Sequence, residues 1–321
     1  MKRIFYFFSL IFLLVPQANA QGKTFTVSVN QFVEHPALDA ALKGFMDFLK
    51  ENKIQVNYNL HNAQGQMATA NQIGHQIMGE KPDLILAIAT PSSQACAQAL
   101  KKFPDMKNTP FLFSAVTDPE AAGLVGDLKR PGANITGVSD MLPMDKHMGM
   151  IKKFVPGLKS LGVLYNAGEA NSKVTVKLIV EEGRKMGFEV IDATVAKSSE
   201  VYQATKSLAG KAEAVFVPTD NTVVSGLESA VKVCTQVKLP LFAADVASVE
   251  RGAVAAMGFD YYKHGRQTGA MALRIFKGAS PGEMPVETQE ELQLHINLKY
   301  ARLMSVEVPE ELLKSADKIY E

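Results

Sequence analysis

The stretch LILAIATPSSQACAQAL, Leu84 to Leu100, opens with an uninterrupted apolar run, meets a proline directly after Thr90, and continues from two serines in a helical pattern. A short run of this kind suits a strand buried on both faces of a parallel sheet. Pro91 suits a first helical turn, where its missing N–H costs nothing, and Thr90 is a natural cap. The stretch therefore reads as a strand passing straight into a helix, the repeating step of an α/β layer. Such a junction leaves backbone N–H groups unpaired beside the positive end of a helix dipole, which suits an anion. An ordinary capped helix has the same sequence form, and these residues alone leave both readings open.

The alternation continues on either side. TFTVSVN, KIQVNYNL, DLILAIAT and TPFLFSAV predict strands of a first half, with ALDAALKGFMDFLKEN and ATANQIGHQIMGE as amphipathic helices between them. The order restarts near Leu161. There SLGVLYN, FEVIDATV, AEAVFVPT and LPLFAAD alternate with the helical patterns ANSKVTVKLIVEEGRKMG, SEVYQATKSLA and NTVVSGLESAVKVCTQV. The predicted fold is α/β, with two doubly wound parallel-sheet lobes. No Pro/Gly/Ser-rich linker separates them, so extended crossings are expected around Asn134–Ser139, Ala253–Asp260 and Glu291–Ile296. The helix DYYKHGRQTGAMALRIFKG then returns to the first lobe. Lobe 1 is read as residues 23–138 and 260–289, lobe 2 as 139–259 and 290–321. Lobes joined by three such crossings form a hinge that closes around a ligand.

The N-terminus supplies an address. MKR is followed by the apolar run IFYFFSLIFLLV, then Pro16 and Ala18-Asn19-Ala20. This is the form of a secretory signal peptide, residues 1–20, cleaved after Ala20. The run is too short for a stable membrane span, and Gln21 stands where a lipid-anchored end would carry Cys. A secreted, soluble protein is expected, periplasmic in a cell with two membranes. The chain carries 34 Lys and Arg against 33 Asp and Glu. With no basic run interleaved with aromatics, that balance argues against nucleic acid. Cys96 and Cys234 fall in helical patterns of different halves. A disulfide has to be considered in an oxidising compartment, but two small buried apolar side chains are the better reading.

Enzyme signatures fail. Gln21-Gly22-Lys23-Thr24 resembles the tail of a phosphate-binding loop, but it lacks the earlier glycine and precedes the first strand instead of following it. No nucleophile elbow, dinucleotide fingerprint or zinc spacing occurs, and the six histidines are scattered. No cofactor or metal is expected. Polar residues instead collect at strand C-terminal ends: Asn30-Gln31, Thr90-Pro91-Ser92-Ser93, Thr117-Asp118, Asn166 with Glu169 and Asn171, Thr219-Asp220-Asn221, and Asp245. In open parallel sheets ligands bind at this edge. Any one of them suits a cap or turn, as Asp118-Pro119 does; their recurrence favours a shared cleft. A helix start offering N–H groups on one wall and Asp220 and Asp245 on the other would suit a zwitterion.

LFSAVTDPEAAGLV, RPGANITGVSD, GVLYNAGEANS, VFVPTDNTVVS and GFDYYKHGRQTGAMALRIFKG, with HPALDAALKGF at His35–Phe45, resemble the substrate-binding proteins of ABC importers. The resemblance covers the whole mature chain and is nearest to the branch with tryptophan-, tyrosine- and phenylalanine-binding members. It implies a type I periplasmic-binding fold, no catalysis, a monomer that docks on a membrane permease, and an amino-acid ligand. It further implies that Thr90, Ser92 and Ser93 form a carboxylate-binding helix start. Glu169, Asn171, Asp220 and Asn221 become ligand-binding turns, and Asp245 an ammonium partner. The chain has no Trp, so Phe32, Tyr165 and Phe242 are the aromatic candidates beside the ligand. Another small solute, such as a branched amino acid, a nucleobase or a sugar derivative, and a sensor role are the alternatives.

Overall fold

Strands this uniformly apolar must be covered on both faces, and the structure covers them twice over. The computed structural model describes residues 23–321; the signal peptide and cleavage site expected from sequence lie outside the described residues. Lobe 1 holds β1 (Phe25–Gln31), β2 (Val56–Asn62), β3 (Leu84–Ile88), β4 (Phe111–Val116) and β5 (Ile135–Ser139). Lobe 2 holds β6 (Ser160–Tyr165), β7 (Glu189–Thr194), β8 (Ala214–Val217), β9 (Leu241–Ala243) and β10 (Ala255–Gly258). Three late strands divide between them: β11 (Glu287–Thr288) joins the first sheet, and β12 (Gln293–Asn297) and β13 (Lys318–Tyr320) join the second. The sheet orders are β2-β1-β3-β4-β5-β11 and β7-β6-β8-β9-β10-β12-β13. Every pairing is parallel except β10 with β12. The central strands β3 and β4 are buried along their whole length, whereas the edge strands β2 and β7 alternate toward water.

The chain crosses between lobes three times, at Asp140–Pro143, at Phe259–Asp260 and at 289–292. These crossings are shorter than the segments expected from sequence. Ile135–Ser139, Ala255–Gly258 and Gln293–Asn297 are themselves paired strands, because their backbone groups find ladder partners there. The sequence reading also did not name α4 (Met144–Phe154), which follows the first crossing and buries Met148, Ile151 and Phe154 in lobe 2.

Two helices of lobe 1 set the geometry of the cleft. α1 (Pro36–Glu51) packs along α10 (Tyr261–Phe276) at backbone contact. A Cβ added at Gly265 would lie 1.8 Å from the Ala41 carbonyl oxygen, and one at Gly44 would lie 2.1 Å from that of Tyr262. Both helices begin at the cleft, α1 capped by His35 and α10 by Asp260. Cys96 and Cys234 are buried free thiols, each pushed up to about 12 by desolvation.

Candidate ligand-binding cleft

Because the sheets are parallel, the C-terminal ends of their strands share one edge, and the two edges face each other across the hinge. The space between them has an inner chamber and an outer cleft. The inner chamber is floored by the hinge residues Asp140 and Tyr261. Lobe 1 walls it with His35, Leu38, Ala115 and Thr117, and lobe 2 with Asn171, Thr219, Asp220, Asn221 and Asp245. The outer cleft has Phe32, Met67, Pro91 and Gln94 on one side and Asn166, Glu169 and Lys197 on the other.

In lobe 1, β4 ends in a bulge between Ser114 and Val116. Ala115 there has φ +56°, and its N–H donates to His264 Nε2 at 3.0 Å. Burial lowers His264 to about 4, which keeps that nitrogen free to accept. The bulge turns Thr117 into the chamber. Its hydroxyl donates to Asp140 Oδ1 (3.0 Å), and the Tyr261 hydroxyl donates to Asp140 Oδ2 (2.6 Å). The second bond ties the first crossing to the second. Burial raises the Asp140 pKa above the ordinary value. Thr219 reaches Thr117 from the other lobe, hydroxyl to hydroxyl at 3.4 Å.

In lobe 2, two buried acids organise the loops after β6 and β8. Glu169 precedes α5 (Ala170–Met186) and reaches the start of α7 (Asn221–Ser225). Its Oε2 accepts from Asn171 Nδ2 (3.1 Å), Asn221 N (3.2 Å) and Asn221 Nδ2 (2.6 Å). Its Oε1 accepts from Thr222 N (3.0 Å) and Thr222 Oγ1 (2.7 Å). Asp220 caps α7 through Val223 N (2.7 Å) and accepts from Asn166 N and Ser172 Oγ, both at 2.6 Å. Burial, reinforced by the Glu169 carboxylate, raises Asp220 to about 7. Asp245, after β9, accepts from Ser248 N (2.9 Å) and Ser248 Oγ (2.5 Å).

Of the residues nominated from sequence, Thr117, Asn171, Asp220, Asn221 and Asp245 meet in the inner chamber, while Phe32, Asn166 and Glu169 face the outer cleft. Gln31 is turned into lobe 1, donating to Val33 O and Asp39 Oδ1. Thr90, Ser92 and Ser93 line neither space. The Ser92 hydroxyl donates to Asn30 Oδ1 and that of Ser93 to Ala89 O, both at 2.9 Å. Tyr165 and Phe242 belong to the lobe 2 core, Phe242 against Phe154 with ring centres 5.3 Å apart. His35, Asp140 and Tyr261 are not among the site residues nominated from sequence. Asp140 directly follows β5 and so carries the same signal as the others, but the sequence pattern assigns ITGVS to the crossing itself. The chamber presents acids from lobe 2 and the hinge, and no Lys or Arg among the described residues lines it. No cluster of His, Cys, Asp and Glu suited to a metal occurs among the described residues.

A family model described as ABC transporter substrate binding protein matches residues 26–320. A tyrosine-binding protein of Clostridioides difficile is 40% identical over 275 residues, 84% of this chain and 78% of its own length. Among solved structures, an ABC domain from Streptococcus pneumonia in complex with L-Trp is 34% identical at a TM-score of 0.87, covering 92% of this chain and 100% of that one. The ligand-free, open structure of CD0873, a substrate-binding protein from Clostridium difficile, is 38% identical but reaches a TM-score of only 0.68, over 92% of this chain and 99% of that one. Identity is comparable in the two cases. The backbone here is thus more similar overall to that of the L-Trp complex than to that of the open form.

Proposed function

Since the chain belongs to the family of ABC transporter substrate-binding proteins, which bind and do not catalyse, we propose that it captures an aromatic amino acid in the inter-lobe chamber. Members of this family work outside the cytoplasm. This chain would be secreted to the periplasm and act as a monomer that delivers its ligand to a membrane permease. The observation that carries the reading is the chamber itself. Loops from both sheets converge on buried acids and amides at the hinge, and such a concave polar site suits a small charged head group. Aspartates without any lining cation suit an ammonium group. The outer cleft, where Phe32, Met67 and Pro91 supply apolar surface, suits the side chain. The L-Trp bound to one relative and the name of another support the aromatic class.

Burying a phenyl ring in place of a methyl group is worth about 2 kcal/mol, or roughly thirtyfold in affinity. Ligand at about a hundred times its Kd adds around 2.7 kcal/mol to folding stability, which a thermal-shift screen resolves. After unfolding and refolding to strip carried solute, Tyr, Trp or Phe should raise the Tm most among amino acids, nucleobases and sugars. A sugar or nucleobase at the head of the ranking would overturn the amino-acid reading. Leu or Val at the head would keep the zwitterion site and reject the aromatic one.

A further inference from the structure

We infer that the ligand's carboxylate docks at the start of α1, on the Ala37 N–H and the His35 imidazole, while its ammonium group lies on the opposite lobe against Asp245 and the unpaired Oδ1 of Asn171. This rests on the amino-acid reading above. No Lys or Arg lines the chamber, so a buried carboxylate needs uncharged donors, and a helix start supplies them. α1 is 16 residues long, and His35, Ala37 and Leu38 at its start all line the chamber. The first-turn donors can be accounted for one by one. Pro36 has no N–H, Leu38 N–H is directed at His35 Nδ1 (3.5 Å), and Asp39 N–H donates to His35 O (3.0 Å). Ala37 N–H has no intrahelical acceptor at that position and is left for a ligand. With Nδ1 accepting, the ring proton of a neutral His35 sits on Nε2. Burial lowers this histidine to about 4, so it is an uncharged donor near neutral pH; its side chain is within reach of Asn221 across the chamber, and a ligand carboxylate would take the place of that amide as its acceptor.

The opposite wall supplies an independent observation. Asn171 is 3% exposed, and its amide nitrogen is committed to Glu169 Oε2 and to Thr219 O (2.7 Å). Those two acceptors fix which end of the amide is nitrogen, and its Oδ1 is left buried without a donor. A buried acceptor of this kind calls for a partner, and a ligand ammonium group provides one, with Asp245 in the same chamber supplying the charge. The start of α3 (Thr90–Lys102) is placed less well, since Ser92 and Ser93 line neither space and their hydroxyls are committed within lobe 1. α1 belongs to lobe 1, and Asn171 and Asp245 to lobe 2. The two ends of one zwitterion then bridge the lobes, and a ligand lacking the carboxylate loses its hold on lobe 1.

The test is a titration-calorimetry cycle with L-tyrosine and tyramine, which differ by the carboxylate alone. If another amino acid leads the screen, it and its decarboxylated amine take their place. In the unmodified protein the amine should bind about tenfold to a hundredfold more weakly, the range for hydrogen bonds to a charged group. His35→Ala should shrink that gap to a few-fold. His35→Asn, which keeps a capping side chain, should give an intermediate gap and guards against a mere folding defect. Ser92→Ala should leave the gap in place, and Asn171→Ala should weaken both probes alike. Equal binding of tyrosine and tyramine, or a gap that survives both His35 variants and collapses in Ser92→Ala, would overturn the assignment while leaving the amino-acid reading intact. Failure of every amino acid to bind would overturn both.

Discussion

Glu169→Gln isolates the centre of the lobe 2 network with almost no change of shape. The carboxylate accepts five hydrogen bonds, three on Oε2 and two on Oε1, and Glu169 is 4% exposed. A carboxamide has one accepting oxygen. If that oxygen takes the Oε2 position, its NH2 faces the Thr222 N–H; if it takes Oε1, the NH2 faces Asn171 Nδ2 and both Asn221 donors. Either orientation strands at least one buried N–H, at about 1–3 kcal/mol. The surviving bonds lose the charge that roughly doubles their strength, for about 1 kcal/mol more. The expected loss is therefore about 2–4 kcal/mol, read as a lower urea midpoint with unchanged slope. Asn171 and Asn221 both lean on this side chain, so tyrosine binding should also weaken by about tenfold or more. Removing the Glu169 charge should also bring Asp220 down from about 7, because that charge is one of the causes of its elevation. A stability loss below about 0.5 kcal/mol, the range of an ordinary surface substitution, would refute the reasoning that this carboxylate holds the loops together.

Asp220→Asn should change the pH dependence of stability. The native state takes up a proton on Asp220 near pH 7 that the unfolded chain takes up near 3.8, so this residue costs stability increasingly as pH rises between those values. His35 and His264, both lowered to about 4, act in the opposite sense, gaining stability as pH rises toward 6.5. The difference between variant and parent isolates Asp220. It should move in the variant's favour from pH 4 to 7, and a flat difference would count against the elevated pKa. Gly265→Ala drives a methyl group against the Ala41 carbonyl and should cost about 3 kcal/mol or more, whereas Gly79→Ala, with nothing within 4 Å, should be neutral or stabilising in thermal melts. Ala89 sits at φ +78°, ψ 155°, a region essentially reserved for glycine at a cost of about 1–3 kcal/mol. Ala89→Gly should thus be within about 1 kcal/mol of the parent or more stable, although the residue is buried; a larger loss would remove the strain argument.

The fold was legible because its signals are local. Runs such as Leu84–Ile88 and Phe111–Val116 can exist only between two covering layers, and the helical periodicities between them require parallel crossovers. The restart of the order near Leu161 doubles the unit. Strand ends then had to share an edge, which is how Thr117, Asn171, Asp220, Asn221 and Asp245 were nominated together. The division of labour among polar groups was not legible. Ser92 and Ser93 have the sequence of an anion site, but Asn30 and Ala89, residues of the neighbouring strand end and turn, take their hydroxyls. Tyr165 and Phe242 end strands beside the cleft yet pack into lobe 2. A strand's end can be read from sequence, but the direction in which its last side chains turn depends on twist and on the neighbouring strand. His35 meets Asp245 and Asp140 meets Tyr261 only when three crossings fold two sheets face to face. Those pairs lie 210 and 121 positions apart in the chain, the first facing one chamber and the second hydrogen-bonded, and no local pattern specifies such a juxtaposition at that distance. The sequence by itself determined which residues form strands, helices and caps, because backbone hydrogen bonding and apolar burial are satisfied within short segments. Only the tertiary structure decided which polar atoms remain unspent at the cleft, because that depends on every partner the fold brings near.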